Sequence, residues 1–404
     1  MFMKSIIIIS SNLGSCNLGS WFITLLFAAS LPFCTPCLAQ KPPVEYKFTV
    51  EKEAPYTKVK NQAASGTCWS FSGIGFLESE ILRKGGRDTM LFSEMWVVRH
   101  IYKEKIEKYV RMHGKIELAG GGSFFDVLHA CKTYGMVPET VYSGLLPGSN
   151  SHNHNELDRV MASFGKTLVE GKKLSNGWRK AADGILDAYL GELPTEFTQN
   201  GIKYTPESYM EATGLNVSDY VSITSFTHHP FYSSFILEIP DNWIYESSYN
   251  LPIDEMMSVI DSALNKGFSV AWGSDVSEKS FSRDVATIPE EKITEQVGTD
   301  QAKWTGKPAQ NVVELLPSEK TISQEMRQEA FDNYETTDDH GMLMVGLAKD
   351  QNGKKFYKVK NSWGIGGKYK GFLFVSQSFV RYKTINIVLH KDAVPDEIRK
   401  KLGF

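Results

Sequence analysis

A cysteine that follows a turn-rich stretch is the first residue in this sequence suited to nucleophilic chemistry. Cys68 comes directly after residues 62–67 and stands in the first turn of a helix-like segment. The free N–H groups and the dipole of a helix N-terminus favour the thiolate form of such a side chain. The position suits a nucleophile, although an isolated cysteine is more often a small buried core residue. Two further features of the sequence favour the nucleophile.

An amide side chain close to Cys68 in sequence could support this chemistry. Gln62 lies six residues upstream, and its side-chain amide can project toward the same point as the backbone N–H of Cys68. Two hydrogen-bond donors that converge there would hold the negative oxygen of a tetrahedral intermediate. The spacing thus indicates an oxyanion-stabilising pair.

A histidine and an asparagine in the last third of the chain supply a second pair of functional groups. His340 precedes a predicted strand over 341–349, and Asn361 ends the next predicted strand, 355–361. If the two strands form a hairpin, both side chains come together at its open end. Asn361 would then fix the tautomer of the imidazole, and Trp363 would shield the bond between them from water.

The elements that must position these residues differ between the two ends of the chain. The segment from Cys68 predicts an amphipathic helix that stops at Gly85 and Gly86, and further helices are predicted over 93–106 and 123–134. The last third consists mostly of strand-like text, which predicts antiparallel pairing. The sequence therefore predicts an α+β fold with the site in the cleft between a helical lobe and a β lobe.

We divide the chain into four parts from its composition and periodicity. Residues 1–39 are predicted to be a signal peptide, and 40–145 a helical lobe that carries the nucleophile. Residues 146–250 are predicted to be a partly helical insertion. Residues 251–404 are predicted to form the β lobe with the His/Asn pair, including a surface insertion at about 277–335.

The first 39 residues have the pattern of a secretory signal. Residues 5–39 carry no charged side chain, and an apolar run over 21–33 precedes small residues that end at Ala39. This run of thirteen residues is shorter than the ~20 that a membrane span requires. We expect cleavage after Ala39 and export to the periplasm or the extracellular space; a transmembrane anchor or a lipidated Cys34 or Cys37 is a less favoured alternative.

The charge composition excludes one large class of function. The 404 residues include 44 Lys and Arg against 47 Asp and Glu, a net charge of -3. Nucleic-acid binding requires a basic footprint, which this composition does not provide. We therefore expect no nucleic-acid partner.

Several motifs together resemble a known enzyme family. Five segments of the sequence resemble the papain superfamily of cysteine peptidases: NQAASGTCWSF, FSEMW, GGGSFFDVLHACKTYGMVPE, DDHGMLMVGL and VKNSWG. Three further segments resemble the bleomycin hydrolase and bacterial aminopeptidase C branch of that superfamily: LGELPTEF, SVAWGSDV and VLHKDAVPDEIRK. The resemblance extends over nearly all of residues 55–400 and implies a papain-like two-lobed fold with a β-barrel-like second lobe.

The resemblance also implies a role for each catalytic position. Cys68 would be the nucleophile, His340 the general base and then acid, Asn361 the residue that orients His340, and Gln62 the oxyanion donor. A Cys68–His340 ion pair would attack a peptide carbonyl, and water would hydrolyse the resulting thioester. The reaction requires no metal and no cofactor.

The substrate-binding residues and partners are likewise implied by the family. Gly121 and Gly122 would present backbone to an extended peptide substrate, Trp69 would pack behind the nucleophile, and Trp363 would border the cleft. Peptides are the implied substrates, and a homo-hexamer is the implied assembly. No transmembrane anchor is expected in the mature chain.

The end of the chain leaves the cleavage specificity open. In the bleomycin hydrolase branch a C-terminal arm enters the cleft, and its carboxylate anchors the free amine of the substrate. Here the sequence ends at Phe404, directly after the helix-like DEIRKK, so we expect a short or missing arm. An aminopeptidase and an endopeptidase with an open cleft both remain possible, and a non-catalytic peptide-binding module is a third, less favoured alternative.

Cys131 and two histidine pairs are interpreted as structural or surface residues. His152 and His154 alternate in a polar loop, and His228 and His229 are adjacent; each pair fits surface histidines better than metal ligands. Cys131 lies on the apolar face of the third predicted helix and is interpreted as a core residue.

Overall fold

The computed structural model describes residues 45–87, 90–290 and 318–404. The predicted signal peptide, with its cysteines, lies outside the described residues, as does much of the surface insertion predicted at about 277–335. All described residues belong to one unit of the chain, Pro43–Phe404.

Helices dominate the first half of the described chain and recur at its end. In chain order the α-helices are α1 Cys68–Arg83, α2 Glu94–Arg111, α3 Phe124–Tyr134, α4 Asn155–Glu170, α5 Trp178–Leu190, α6 Pro206–Ala212, α7 Ile253–Asn265, α8 Gln324–Asp332, α9 Gln377–Lys383 and α10 Asp396–Leu402.

Strands dominate the second half. In chain order they are β1 Thr49–Glu53, β2 Phe197–Gln199, β3 Ile202–Tyr204, β4 Tyr220–Thr224, β5 Ser234–Ile236, β6 Ser247–Asn250, β7 Val270–Ser274, β8 Val285–Ala286, β9 His340–Lys349, β10 Lys355–Lys360, β11 Phe372–Ser376 and β12 Thr384–His390.

Helix α1 is the central helix of the fold. Its first turn is set by the carbonyl of Thr67, which accepts from the N–H groups of Ser70 at 3.0 Å and Phe71 at 3.2 Å. Every residue from Cys68 to Ile81 is buried, which explains why its apolar residues recur on more than one face. The helix ends where the sequence predicts, since Gly85 has a positive φ of 88°.

Ten strands form one mixed sheet around strand β9. The main path runs β5-β6-β4-β12-β7-β9-β10-β11-β8, and β1 pairs with β9 outside that path. The pairs of β9 with β7 and β10, and of β10 with β11, are antiparallel, whereas β8 joins β11 and β6 joins β4 in parallel. The predicted α+β fold is confirmed.

Two large apolar clusters form the core. One is built around helices α1 to α5 and includes Trp96 and Ile101. The other lies where the sheet packs against α7, α9 and α10, and it includes Trp272 and Tyr357. Burial of large apolar side chains on both sides of α1 and β9 provides the main stabilisation of the elements that carry the site.

The segment 146–250 contributes to both parts of the fold. Helices α4 and α5 contribute Leu157, Met161 and Leu186 to the helical cluster. Strands β4 to β6 extend the main sheet beyond β12. The division into lobes and insertions stays a prediction.

Helix α8 lies within the segment predicted as a polar surface insertion. Ser323 caps it by accepting from the N–H of Met326. Arg327 is fully buried, and its guanidinium donates to the carbonyls of Ser225 and Arg381 at 2.7 and 3.1 Å. A buried, hydrogen-bonded arginine gives no apolar signal, and this explains why the sequence pattern did not predict a packed helix here.

The described helices were also compared with the requirements of a membrane span. Among residues 45–87, 90–290 and 318–404, no helix combines the length and the apolar character that crossing a bilayer requires.

Candidate active site

Cys68 lies where the N-terminus of α1 meets the start of β9. Only 5% of the residue is exposed. The backbone N–H groups of Gly341 and Trp69 donate to its sulfur, and both lower the pKa of the thiol. Gly341 allows this approach, because a Cβ there would lie 2.8 Å from Ser72 Oγ and 3.2 Å from the Cα of Trp69.

The β9–β10 hairpin brings His340 and Asn361 together, as the sequence predicts. Leu343 pairs with Lys360 across the hairpin, so the start of β9 and the end of β10 lie at the same edge. The ring nitrogen Nε2 of His340 is 2.8 Å from Oδ1 of Asn361. Both residues are 5% exposed.

The hydrogen bonds around Asn361 define the tautomer of His340. Oδ1 of Asn361 also accepts from the backbone N–H of Ser362 at 2.7 Å, which identifies this atom as the oxygen. His340 Nε2 must therefore donate, and Nδ1 carries the free lone pair. That is the state required of a general base at Nδ1.

Trp363 covers the His340–Asn361 pair. Its ring stacks on His340 with a centroid distance of 4.8 Å and an interplanar angle of 25°. Phe281 meets the indole edge-on at 6.0 Å, and the Arg283 guanidinium lies 5.7 Å from its centroid. The shielding predicted for Trp363 thus has a structural basis, while its contact with substrate stays a prediction.

Gln62 is held by the residue that follows Asn361. The hydroxyl of Ser362 donates to Gln62 Oε1 at 2.5 Å, and the backbone N–H of Gln62 donates to the carbonyl of Ser362 at 2.8 Å. Because Oε1 is occupied, the amide NH2 is the end of Gln62 left to act as a donor; it has no hydrogen bond to the described residues. The amide is thus available to donate, and its role toward an oxyanion beside Cys68 stays a prediction.

One cavity contains both the nucleophile and the histidine. Its walls are formed by Cys68, Gly122, Ser123, Phe124, Ile239, Asp241, Gly273, Asp338, Asp339, His340, Gly341 and Asn386. No hydrogen bond joins Cys68 and His340 in the described structure, as is common for catalytic pairs in unliganded sites. The structure thus brings these two side chains to one space, with Asn361 and Gln62 behind them.

Burial disfavours the charged forms of both the cysteine and the histidine, and acidic neighbours add to this effect at Cys68. Burial, with the negative charges of Asp241 and Asp338, raises the pKa of Cys68 to about 12 despite the helix N-terminus. Burial also lowers the pKa of His340 to about 4. Both shifts favour the uncharged forms, a thiol and a neutral imidazole. The Cys68–His340 ion pair implied by the family stays a prediction.

The glycine pair 121–122 already has intramolecular partners. The carbonyl of Gly121 accepts from the buried ammonium of Lys105, and the N–H of Gly122 donates to the carboxylate of Asp241. A Cβ at Gly122 would lie 2.7 Å from Cε2 of Trp69. Pairing of a peptide with this edge stays a prediction.

Trp69 anchors the residues beside the nucleophile. Its indole Nε1 donates to the carbonyl of Gly120 at 3.0 Å, and the ring lies against Gly122. Trp69 is 3% exposed, so it packs beneath the glycine edge.

The structure also places the other cysteine and histidines. Cys131 is buried and free, with its sulfur 3.2 Å from Sδ of Met136, and its interpretation as a core residue is confirmed. His154 is buried, and His152 is partly buried next to it with a centroid distance of 6.0 Å. Their rings pack against Tyr102 and Phe71, respectively. The interpretation of His152 and His154 as surface histidines is therefore wrong. Within the described residues, neither belongs to a group that could hold a metal ion.

His228, His229 and Glu238 form the one group among the described residues whose ligand atoms lie close enough for a metal ion. Gln328 argues against that use. Its Oε1 accepts from a backbone N–H, so its Nε2 donates to Nδ1 of His228 at 3.0 Å. Nε2 of His228 is then protonated and directed to Glu238 at 3.2 Å, which favours a hydrogen bond over a metal ligand.

Three residues of the site were not predicted from the sequence. Ser362 orients Gln62, and its place directly after Asn361 is the signal that could have identified it. Asp338 lies two residues before His340, in a run of two acidic residues that the sequence analysis did not use. Asp241 lies in a distant loop and has no local signal.

Two segments of the chain match models of cysteine peptidase families. A family model described as the papain family of cysteine proteases matches residues 44–105, which include Cys68. A second, described as the peptidase C1-like family, matches residues 294–403, which include His340 and Asn361. The two matches thus cover both halves of the site.

Individual relatives match most of the chain. Aminopeptidase C of Streptococcus thermophilus is 24% identical over 402 residues, covering 88% of this chain and 85% of its own. Aminopeptidase C of Lactobacillus delbrueckii subsp. lactis is 24% identical over 399 residues, covering 87% and 83%.

A solved structure shares the fold. The crystal structure of PepW from Lactobacillus rhamnosis HN001 superposes with a TM-score of 0.64 at 21% identity, and the match covers 88% of this chain and 84% of that one. The two family matches contain Cys68, His340 and Asn361 in the predicted order, and together with the aminopeptidase C relatives they support a cysteine peptidase of the papain superfamily.

Proposed function

We propose that the protein is an aminopeptidase that removes residues from the amino end of peptides through a thioester on Cys68. The observation that carries the proposal is the 2.8 Å bond from His340 Nε2 to Asn361 Oδ1, which leaves Nδ1 as a base on a ring that lines the same cavity as Cys68. The relatives named aminopeptidase C support the direction of cleavage.

The proposed reaction has two steps, formation of a thioester on Cys68 and its hydrolysis, and His340 transfers protons in both. Cys68 attacks the peptide carbonyl while its proton passes to Nδ1 of His340, and the oxyanion is held by the amide of Gln62 and the N–H of Cys68. His340 then protonates the leaving amine. Water, deprotonated by the same imidazole, hydrolyses the thioester and regenerates the thiol.

The test compares two forms of one peptide. The protein is incubated with a decapeptide that has a free amino terminus and with its N-acetylated twin, and the products are identified by mass spectrometry; Cys68→Ala is the control. We expect stepwise loss of residues from the free peptide alone. Internal cleavage of both peptides would identify an endopeptidase, and no cleavage of either by reduced, folded protein would overturn the peptidase assignment at this site.

We also propose that the protein is exported with residues 1–39 as a cleaved signal. The support is the uncharged stretch 5–39 and its apolar run, which are features of the sequence. Amino-terminal sequencing of the protein recovered from its native host tests this proposal. A mature chain that begins at Gln40 is expected, and a full-length chain in the cytoplasm would contradict it.

A homo-hexamer is our proposal for the assembly, and it rests on the resemblance to the bleomycin hydrolase branch alone. Sedimentation velocity on the purified mature protein measures the mass directly. A monomer at micromolar concentration would contradict the proposal.

A further inference from the structure

A tightly held loop places a carboxylate in the cavity beside Cys68. The amide nitrogen of Asn242 donates to the carbonyls of Leu237 and Glu246, both at 2.8 Å, and its oxygen accepts from the N–H of Glu246 at 3.0 Å. These three bonds close the loop on either side of Asp241. Asp241 is 7% exposed, and its carboxylate lines the cavity.

Asp241 covers the edge at which an extended peptide was expected to pair. A Cβ on Gly121 would lie 2.3 Å from Oδ1 and 2.7 Å from Oδ2 of Asp241, so the carboxylate is in direct contact with that glycine. The N–H of Gly122 donates to the same carboxylate. A chain that continued along this edge would have to displace Asp241 and the loop held by Asn242.

A second carboxylate in the cavity lacks any partner. Asp338 is partly buried and lines the same cavity, and in the described part of the chain it makes no hydrogen bond and no ion pair. Its neighbour Asp339 differs, since that carboxylate accepts from Thr337 Oγ1 at 2.9 Å and shares a hydrogen bond with Asp275. Asp338 is thus the member of the acidic run that is left for a ligand.

The charges that face the two carboxylates leave an excess of negative charge. Lys105 is the cation that acts on Asp241, and its ammonium is already bound to the carbonyls of Ala119 and Gly121. Glu117 and Asp126 add further negative charge near Asp241. No lysine or arginine is among the residues that line the cavity. The site therefore favours a cation.

We propose that Asp241 and Asp338 bind the α-ammonium group of the peptide substrate and thereby restrict cleavage to the first peptide bond. The proposal rests on the proposed aminopeptidase function and identifies the residues that confer it. An ammonium bound to these carboxylates would hold the amino end of the substrate in the cavity that contains Cys68, while Asp241 blocks the continuation of a longer chain along Gly121.

The raised pKa values of the two carboxylates agree with this assignment. Burial raises the pKa of Asp241 to about 7, and burial together with the charges of Asp241 and Asp339 raises the pKa of Asp338. Two carboxylates that oppose each other in a confined site favour a bound cation, because it restores both to their charged forms. Binding at this position also removes part of the negative potential that raises the pKa of Cys68.

The test measures recognition of the amine separately from peptide cleavage. The substrates are an aminoacyl coumarin amide with a free amino group and its des-amino analogue, which differ in the ammonium alone. The variants are Asp241→Asn and Asp338→Asn, and kcat/KM is measured for both substrates. Asp338→Asn removes a charge without breaking a hydrogen bond to the described residues, so a folding defect is not expected in that variant.

We expect the wild type to prefer the free amine and each variant to lose about 100-fold in kcat/KM on it, as is typical when one partner of a buried charge pair is removed. For the des-amino substrate kcat/KM should not fall, because the variants remove no contact to that substrate and take away a negative charge that raises the pKa of Cys68. Glu117→Gln is the matched control: it removes a nearby exposed carboxylate that does not line the cavity, and it should retain the preference.

The pH profile gives a second measurement. For the free-amine substrate, kcat/KM of the wild type should fall as the pH falls through about 7, because Asp241 must be ionised to bind the ammonium. This decrease in kcat/KM at low pH should be absent with the des-amino substrate and in the Asp241→Asn variant. Circular dichroism spectra that match the wild type, together with cooperative thermal unfolding, confirm that both variants remain folded.

The outcomes separate the two proposals. A wild type that prefers the free amine, with both variants retaining that preference, would overturn the assignment of Asp241 and Asp338 and leave the aminopeptidase intact. A wild type without any preference for the free amine would refute the aminopeptidase proposal, and the assignment with it.

Discussion

Asn361 sets the proton on the histidine, and replacing it with alanine tests the reasoning most directly. The bond from His340 Nε2 to Asn361 Oδ1 is 2.8 Å long, and both residues are 5% exposed. Asn361→Ala leaves Nε2 without this acceptor. The imidazole is then free to rotate and to carry its proton on Nδ1, where a base is required.

The size of the effect follows from the burial of the bond. A buried polar group that loses its partner costs about 1–3 kcal/mol. Each 1.4 kcal/mol corresponds to a tenfold change in rate, so we expect kcat/KM to fall by roughly 5- to 150-fold. The loss should appear mainly in kcat, because the proton transfers by His340 occur in the transition states and not in substrate binding.

Steady-state kinetics on a free-amine aminoacyl coumarin amide provide the assay. Asn361→Asp is the matched comparison, since a carboxylate still accepts from Nε2 and preserves the tautomer; it should keep more activity than Asn361→Ala and should raise the pKa of His340 in the pH profile. Circular dichroism spectra that match the wild type would exclude unfolding as the cause.

One result would refute the argument. If Asn361→Ala kept kcat within threefold of the wild type, the tautomer deduced from the Asn361 and Ser362 bonds would have no catalytic importance, and another acceptor would have to orient His340.

Three further changes test other parts of the site. Ser362→Ala removes the hydroxyl that holds Gln62, and we expect kcat to fall about tenfold with little change in KM, measured by the same kinetics. Glu78→Ala breaks a buried network in which Glu78 accepts from Thr57 at 2.5 Å and binds Lys60 at 3.4 Å. We expect the variant to lose about 3 kcal/mol of unfolding free energy, measured by urea denaturation. A loss below about 1 kcal/mol would show that the network does not stabilise the fold. The raised pKa of Asp241, about 7 against an unfolded value near 4, means that its ionisation lowers stability progressively between about pH 4 and pH 7 and fully above that range. Asp241→Asn should therefore raise Tm at pH 8 and change it little at pH 5, and a lower Tm at pH 8 would contradict this sign.

The hairpin that carries His340 and Asn361 could be predicted from the sequence because its signals are local. Apolar residues and a turn over 350–353 define two strands, and the ends of a hairpin must meet. The same holds for α1, whose first turn and glycine stop are adjacent to Cys68. Elements of this kind are determined by residues within a few positions of one another.

The carboxylates in the cavity could not be predicted in this way. Asp241 reaches the cavity because a loop is folded on Asn242 and packed against the start of α3, and both are consequences of tertiary packing. Without the position of Gly121, nothing in the residues around Asp241 distinguishes it from a surface acid. The acids that raise the pKa of Cys68 were missed for the same reason, since the helix N-terminus was visible in the sequence and these acids were not.

The electrostatics of the site connect recognition with reactivity. Asp241 and Asp338 add to the effect of burial and raise the pKa of the nucleophile, which disfavours the attacking thiolate. An ammonium group on the same carboxylates opposes that effect, whereas a neutral acetylated terminus does not. Discrimination in favour of a free amino terminus would therefore act on the formation of the thiolate as well as on binding, which places part of the specificity in kcat.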